Sequence, residues 1–282
     1  KIAVNLLAGV PAIIKPATIT SYLTEAVFKE IITSKIFPEG SLQLLCGSAG
    51  DLLEWVNSQD SITFTGSAHT GALLKRTPSL LANNVPFTME ADSLNCIVLG
   101  ESVQPNDPEW DLFIKEVRKE MTLKSGQRCT GVRRIFVPQS HLSVVAESLQ
   151  KALAQTIIGS PLNEKVRMGS LAGMSQREEV LTQVKKLLAS SQLIYGSLDS
   201  VEVVDADAIK GAFLSPLLLL NEKPFHSNEP HEIEAFGPVS TLMPYNGMEE
   251  AIALSKLGKG SLVTTIVTNN EQEAKKYVLG TA

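Results

Sequence analysis

Short β-rich runs alternate with helical patterns along the first third of the chain. The runs that predict strands are residues 12–15, 42–45, 62–65 and 86–90. The segments with helical periodicity lie between them, at residues 21–34 and 50–57. This alternation is typical of a parallel sheet whose strands are joined by crossover helices.

The same alternation starts again beyond residue 92. Further strands are predicted at residues 96–100 and 134–137 and near residues 192, 217 and 239. Further helices are predicted at about 110–124, before 157, and at 175–190. The sequence therefore predicts an α/β protein of two units, residues 1–92 and 93–282. The segment at 224–231 is dense in Pro, Asn, Glu and His, which favours an exposed loop.

Glycines follow several of the predicted strands. Gly47 and Gly50 follow the second run, and Gly66 follows the third. Ligands of open α/β sheets bind at the carboxyl ends of the strands. A nucleotide is the natural candidate for such an edge.

Composition narrows the class of protein. The 282 residues are 44% hydrophobic and 20% charged, which suits a globular protein with a sizeable core. A net charge of -5 with scattered basic residues argues against nucleic-acid and membrane-surface partners. No apolar run is long enough to span a bilayer and no leader is visible, so we expect a cytoplasmic protein. Because the chain opens without methionine, we also expect a piece of a longer protein.

The three cysteines are candidate functional residues individually and not as a disulfide or metal-binding group. Their odd number and the lack of CxxC spacing argue against a disulfide framework and a zinc site. Cys46 and Cys96 lie in apolar runs and are predicted to be packing residues. His226 and His231 are predicted to lie in a hydrated loop, without a metal.

Three local patterns could carry chemistry, and each has an ordinary alternative. Cys129 follows a glycine turn beside Arg128, where a thiolate could be stabilised; the alternative is a buried apolar cysteine. Residues 64–71 combine a strand, Gly66 and the N-cap Ser67, which suits a pyrophosphate or an ordinary strand-to-helix turn. Glu90 ends an apolar run and is a candidate general base, or an acid at a domain junction.

Taken together and in this order, five segments resemble the signature motifs of the aldehyde dehydrogenase superfamily. They are residues 13–17, 64–71, Glu90, 126–129 and 234–239. The resemblance implies a partial Rossmann-type cofactor domain at 1–92 and a truncated α/β catalytic domain at 93–282. It implies that Cys129 is the nucleophile, that Glu90 activates water, and that the second oxyanion donor is an asparagine upstream of this sequence.

The resemblance also implies a nicotinamide cofactor and the residues that bind it. These residues are Lys15, Thr18, Gly47, Phe64, Gly66, Ser67, Gly71, Glu234 and Phe236. Many NAD-preferring members carry a glutamate three residues after the lysine, where this chain has Thr18. Without that negative charge beside Lys15 we expect NADP, with NAD as the alternative.

Residues 11–18, 64–71 and above all 86–95 give a closer resemblance within the superfamily. Most members have two glycines and a lysine after the glutamate, whereas this chain has Asp92, Ser93 and Leu94. That departure is similar to the aldehyde dehydrogenase domains of aerobic phenylacetate and benzoyl-CoA degradation. It implies a CoA-linked semialdehyde substrate and, as in the phenylacetate relative, a fused hydratase-like domain outside this chain. The resemblance to the superfamily implies a homo-oligomer. The alternatives are an acylating dehydrogenase, which Glu90 disfavours, and a catalytically silent relative.

Overall fold

A computed structural model describes residues 2–282 of the chain. The chain divides into two compact units, and the division falls between Asp92 and Ser93. The first unit contains two small sheets and the second contains one large sheet. The α/β class is confirmed, while the roles of the units as cofactor-binding and catalytic domains stay predictions.

The first unit is built from two pairs of parallel strands. Strand β1 (Ala12–Ile14) pairs with β2 (Leu42–Leu44), and β3 (Ile62–Gly66) pairs with β4 (Phe87–Ala91). Its helices are α1 (Ile2–Leu7), α2 (Ser21–Thr33), α3 (Ala68–Lys75) and α4 (Pro78–Ala82). Because paired strands run parallel, the residues after β1 and β2 share one edge, and those after β3 and β4 share another.

One predicted helix of the first unit is wrong. Residues 50–57 form only a single turn of 3-10 helix, Leu52–Glu54. Gly50 has a left-handed conformation with φ of 52°, and Asn57 closes a turn with Asp60. These two features leave too few residues between them for a longer helix.

The second unit is built around a six-stranded sheet of order β10-β5-β6-β9-β8-β7. Only the β7–β8 pair is antiparallel among the described strands. The strands are β5 (Cys96–Leu99), β6 (Arg134–Pro138), β7 (Gln192–Tyr195), β8 (Leu217–Leu220), β9 (Val239–Tyr245) and β10 (Thr264–Val267). The helices are α5 (Pro108–Thr122), α6 (Leu142–Ala154), α7 (Met174–Leu187), α8 (Glu229–Glu232), α9 (Gly247–Lys256) and α10 (Glu271–Thr281).

Both faces of this sheet are buried. In β5, Ile97 and Leu99 pack into a core with α5 and α6, whereas Cys96 and Val98 pack into another with α9 and α10. Successive side chains of a strand point to opposite faces. Such a strand therefore reads as a continuous apolar run, and the sequence of β5 does so.

The predicted exposed loop at 224–231 is also wrong. It forms a 3-10 helix, Pro224–His226, followed by α8. The imidazole of His231 is buried between Nη1 of Arg134, at 3.2 Å from Nδ1, and the carbonyl oxygen of Pro224, at 3.0 Å from Nε2. The polar composition gave no sign that a buried guanidinium binds the histidine.

None of the helices in residues 2–282 combines the length and apolar character needed to cross a membrane.

Candidate active site

Two sequence segments meet at the amino-terminal end of the large sheet. The cysteine loop (residues 124–131) comes before β6, and the Glu234 segment (residues 234–238) comes before β9. Because β6 and β9 are parallel neighbours, the segments that precede them lie at the same end of the sheet. The hydroxyl of Ser240, in β9, donates to the carbonyl oxygen of Val132, just before β6, at 2.7 Å. This hydrogen bond links the starts of the two strands.

Helix α5 leads directly into the cysteine loop. Its buried positions Phe113, Val117 and Met121 recur every four residues, so one face of the helix is held against the sheet. The helix stops because Lys124 and Ser125 have left-handed φ angles of 53° and 54°. Each such non-glycine residue costs about 1–2 kcal/mol, so the loop is strained where it begins.

The cysteine itself is exposed at the tip of this anchored loop. Cys129 is an exposed free cysteine, which contradicts the alternative of a buried apolar residue. The side-chain amide of Asn95, 1% exposed, donates to the carbonyl oxygens of Cys129 at 2.9 Å and Gly131 at 3.0 Å. The main chain around the thiol is therefore fixed while the thiol remains accessible.

A buried arginine holds the loop from its other side. Nη2 of Arg133 donates to the carbonyl oxygens of Gly126 at 2.9 Å and Arg128 at 3.2 Å. Nη1 donates to the carbonyl oxygen of Gly237 at 2.9 Å, and Nε lies 3.2 Å from Oε1 of Glu234. Burial lowers the pKa of the Arg133 guanidinium, and the nearby Glu234 carboxylate opposes this shift.

Glu234 and Phe236 are both oriented by these contacts. Oε2 of Glu234 accepts the amide of Ser93 at 3.2 Å, while Oε1 pairs with Arg133. The guanidinium carbon of Arg133 lies 5.3 Å from the centre of the Phe236 ring. Both oxygens of the Glu234 carboxylate therefore accept hydrogen bonds within the second unit.

Arg128 does not act as a free cation beside the thiol. Its Nη1 donates to Oε1 of Glu120 at 2.7 Å, and its Nη2 donates to the hydroxyl of Thr130 at 3.2 Å. The guanidinium charge is thus neutralised by a carboxylate of α5. The sequence-based suggestion that Arg128 stabilises a thiolate is not supported by this arrangement.

Residues 64–71, predicted to bind a pyrophosphate and called the phosphate turn below, lie in the first unit. Ser67 is the N-cap of α3, and its hydroxyl accepts the amide of Thr70 at 3.2 Å, as predicted. A Cβ at Gly66 would come within 2.6 Å of the Phe64 ring and one at Gly71 within 2.2 Å of Met89 Sδ, so a larger residue at either position would displace a side chain. The ring of Phe64 therefore lies directly against the turn.

Asp92 places a carboxylate at this turn. Its Oδ1 accepts the backbone amide of Ala68, the first residue of α3, at 3.0 Å. A carboxylate at a helix N-terminus is favoured by the helix dipole and by the unpaired amides. This contact gives a physical role to a residue at which the sequence departs from the superfamily. It also means that one amide of the phosphate turn already has a partner.

The remaining predicted residues of the first unit lie at the carboxyl ends of its strands. Glu90, partly buried near the end of β4, is in register with Thr65 of β3, so it lies beside the phosphate turn. Lys15 and Thr18 are exposed after β1. Gly47 follows β2 with φ of 101° and open space around it.

The other two cysteines, Cys46 and Cys96, lie in different environments. Cys96 is buried, which confirms it as a packing residue, whereas Cys46 is exposed, so that prediction was wrong. Strand β2 ends at Leu44 and Gly47 turns the chain, which places Cys46 outside the sheet. Across residues 2–282 no three His, Cys, Asp or Glu side chains are grouped so that they could hold a metal ion.

Sequence reasoning missed Asn95 and Arg133. Asn95 lies between apolar residues, and Arg133 begins the run Arg133-Arg134 that leads into an apolar strand. Charged residues are rarely buried without a partner. Two adjacent arginines entering a predicted central strand were therefore a signal for buried hydrogen-bonding roles.

An exposed cysteine in a loop held by buried polar side chains is suited to covalent chemistry at a thiol. The aldehyde dehydrogenase family model matches residues 1–280. This chain belongs to the aldehyde dehydrogenase family, as its motifs predicted.

Named relatives agree with that assignment. The chain is 38% identical over 282 residues to a 3,4-dehydroadipyl-CoA semialdehyde dehydrogenase of Aromatoleum evansii, covering 100% of this chain and 55% of that protein. It is 39% identical over 117 residues to protein MaoC of Klebsiella aerogenes, covering 41% of this chain and 33% of that protein. The chain thus spans 55% of the length of the semialdehyde dehydrogenase that it matches.

Solved structures show the same fold. A crystal structure of betaine aldehyde dehydrogenase from Staphylococcus aureus, in complex with NAD+, has a TM-score of 0.86 at 22% identity. The match covers 99% of this chain and 54% of that one. The predicted aldehyde dehydrogenase-like fold is confirmed.

Proposed function

We propose that this chain carries the catalytic residues of an enzyme that oxidises an aldehyde to a carboxylic acid. The observation that carries the proposal is the exposed Cys129 in a loop whose carbonyl groups are held by Asn95 and Arg133. A nucleophile acts efficiently when its position is fixed before the substrate arrives. Family membership supplies the reaction class.

In the proposed reaction, the Cys129 thiolate forms a bond to the aldehyde carbon and gives a thiohemiacetal. Within the described residues the backbone amide of Cys129 donates to no protein acceptor, so it can donate to the oxyanion. A nicotinamide held by the residues named below would supply the acceptor for the hydride that leaves the same carbon. The product on the enzyme is a thioester of Cys129. Glu90 then takes a proton from water, whose oxygen displaces the Cys129 sulfur and releases the carboxylic acid.

The side chains present fit a nicotinamide cofactor. Lys15 and Thr18 offer an exposed ammonium and hydroxyl to the adenosine ribose, and the space around Gly47 is open for adenine. Ser67 begins the helix where a pyrophosphate would bind. Phe64, Gly66 and Gly71 shape that turn.

In the second unit, Glu234 would hold the nicotinamide ribose through its carboxylate, whose orientation Arg133 and Ser93 fix. Phe236 would contact the nicotinamide ring. We propose NADP as the preferred cofactor because Thr18 brings no negative charge toward a 2′-phosphate near Lys15.

A CoA-linked semialdehyde from aerobic aromatic degradation is the proposed substrate. The proposal is supported by 38% identity to a 3,4-dehydroadipyl-CoA semialdehyde dehydrogenase and by the Asp92-Ser93-Leu94 departure. A fused hydratase-like domain, a homo-oligomeric state and a cytoplasmic location remain proposals of the same kind. The partial match to protein MaoC is consistent with a multidomain relative.

The test uses the complete protein with semialdehyde and NADP. Cys129→Ala should abolish NADPH formation. Glu90→Gln should still give one burst of NADPH per site and then stall, because thioester hydrolysis lacks its base. Undiminished steady-state turnover of Glu90→Gln would refute the base assignment, and turnover of Cys129→Ala would refute the nucleophile. The ratio of kcat/KM for NADP and NAD tests cofactor choice.

A further inference from the structure

We propose that Arg133 is a positioning residue that fixes the cysteine loop and the Glu234 segment relative to each other. This inference rests on the proposed function, because it gives Cys129 and Glu234 their roles. It adds a residue that no motif of the sequence assigned. Arg133 itself acts through the main chain and does not touch the reacting atoms.

The geometry of one guanidinium carries the proposal. Three of its nitrogen atoms donate to four acceptors, two on the cysteine loop and two on the Glu234 segment. The planar fork of arginine presents five donors in fixed directions, so these contacts define both distance and orientation. The side chain is only 4% exposed, so water does not compete for them. A lysine could keep the ion pair with Glu234 but could not reach all three carbonyl groups.

The cysteine loop needs such a restraint. Lys124, Ser125 and Gly126 have three successive positive φ angles, and strained backbone persists only when its surroundings hold it. Ser125 is fixed by its hydroxyl, which donates to the carbonyl oxygen of Gly169 at 2.8 Å. Arg133 bonds the next part of the loop, through Gly126 and Arg128, up to the residue before Cys129. Loss of these bonds would leave the thiol position defined mainly through Asn95.

The neighbouring arginine provides a matched control. Arg134 is 1% exposed, and its guanidinium donates to the carbonyl oxygens of Leu94, Leu254 and Ser255. It is as deeply buried and as fully bonded as Arg133, but it makes no bond to the cysteine loop. Replacing Arg134 therefore measures the general effect of losing a buried guanidinium in this sheet.

The experiment measures the rate at which iodoacetamide alkylates Cys129 in the 282-residue chain. A Cys46→Ser background removes the other exposed thiol, and peptide mass spectrometry assigns the product. The rate at which a freely diffusing reagent alkylates a thiol depends on the exposure and ionisation that the surrounding loop gives it, so we expect Arg133→Lys to change the alkylation rate about tenfold. Arg134→Lys should alkylate at the parent rate. In the complete protein, Arg133→Lys should lower kcat about 10- to 100-fold and leave the aldehyde KM near its parent value.

The outcomes separate this inference from the proposed function. Parent-rate alkylation of folded Arg133→Lys, or an equal change of rate in Arg134→Lys, would overturn the positioning role. If Arg133→Lys does not fold, Arg133→Gln replaces it, and failure of both variants to fold would show that Arg133 is structural only. If Cys129→Ala in the complete protein still oxidises aldehyde while the alkylation difference persists, the proposed function fails and the loop geometry stands.

Discussion

Gly126 and Gly237 are in direct contact, and a Cβ on Gly126 would lie 2.1 Å from the carbonyl oxygen of Gly237. One glycine lies in the cysteine loop and the other in the Glu234 segment. The same two residues accept hydrogen bonds from opposite nitrogens of Arg133. The two segments are thus in contact through their backbones, and the guanidinium of Arg133 lies beside this contact.

Gly126→Ala should destabilise the second unit by about 2–4 kcal/mol. About 1–2 kcal/mol comes from the left-handed φ of 69°, and the clash with Gly237 adds a comparable amount. The free energy of unfolding, measured with urea, checks this. Gly169→Ala is the matched control, because no heavy atom lies within 4 Å of its added Cβ. Equal losses in the two variants would show that the Gly126 contact carries no particular cost.

Much of the fold was predictable because of how the strands are buried. Strands covered on both faces, such as β5 and β8, need apolar residues at every position and stand out in the sequence. The wrong helix at 50–57 has a local cause, in the φ of Gly50 and the Asn57–Asp60 turn, whereas the wrong loop at 224–231 depends on a distant partner. His231 is buried because Arg134 bonds it from a strand far away in the sequence.

The candidate catalytic and cofactor-binding residues were predictable from their motifs, whereas the residues that hold them in place were not. Cys129, Glu90 and Glu234 could be proposed because they belong to recognisable segments. Arg133 could not, because three of its four acceptors are backbone carbonyl groups, which any sequence provides. Only the parallel pairing of β6 with β9 brings Gly237 within reach of its guanidinium.

His231 should make the second unit less stable as the pH is lowered. Burial lowers its pKa from 6.5 to about 4, so between these values the unfolded chain binds a proton that the folded chain does not. The free energy of unfolding should therefore be independent of this group above pH 6.5 and decrease toward pH 4, by at most about 3 kcal/mol. Urea unfolding at a series of pH values measures the slope.

The His231→Gln variant identifies the source of that slope. It should be less stable than the parent at neutral pH but lose less stability on acidification. His226→Gln, at an exposed position nearby, should keep the parent slope. A parent-like slope in His231→Gln would assign the acid sensitivity to other groups.

Asp92 should stabilise the start of α3. Asp92→Ala removes the acceptor of the Ala68 amide and a negative charge at the helix N-terminus, together about 1 kcal/mol. Hydrogen exchange of the amides in residues 68–75 should accelerate. Asp92→Asn keeps an acceptor oxygen without the charge and should retain part of the protection. Unchanged exchange in Asp92→Ala would mean that the carboxylate contributes nothing to the helix.

Thr18→Glu should shift cofactor preference from NADP toward NAD. Thr18 and Lys15 are both exposed after β1, so a carboxylate at position 18 would neutralise the lysine and repel a 2′-phosphate. One charge interaction near a protein surface amounts to about 1–4 kcal/mol, so kcat/KM for NADP should fall at least about fivefold relative to NAD. Steady-state kinetics of the complete protein with each cofactor measure the ratio.

Thr18→Gln separates charge from size in this test, because glutamine has the shape of glutamate and no charge. It should keep the parent preference, and the effect of Thr18→Glu should weaken at high ionic strength because the site is exposed. An equal shift in both variants would indicate steric exclusion of the 2′-phosphate. A parent enzyme that prefers NAD would contradict the argument from Thr18 itself, since the absence of a carboxylate would then not determine the choice.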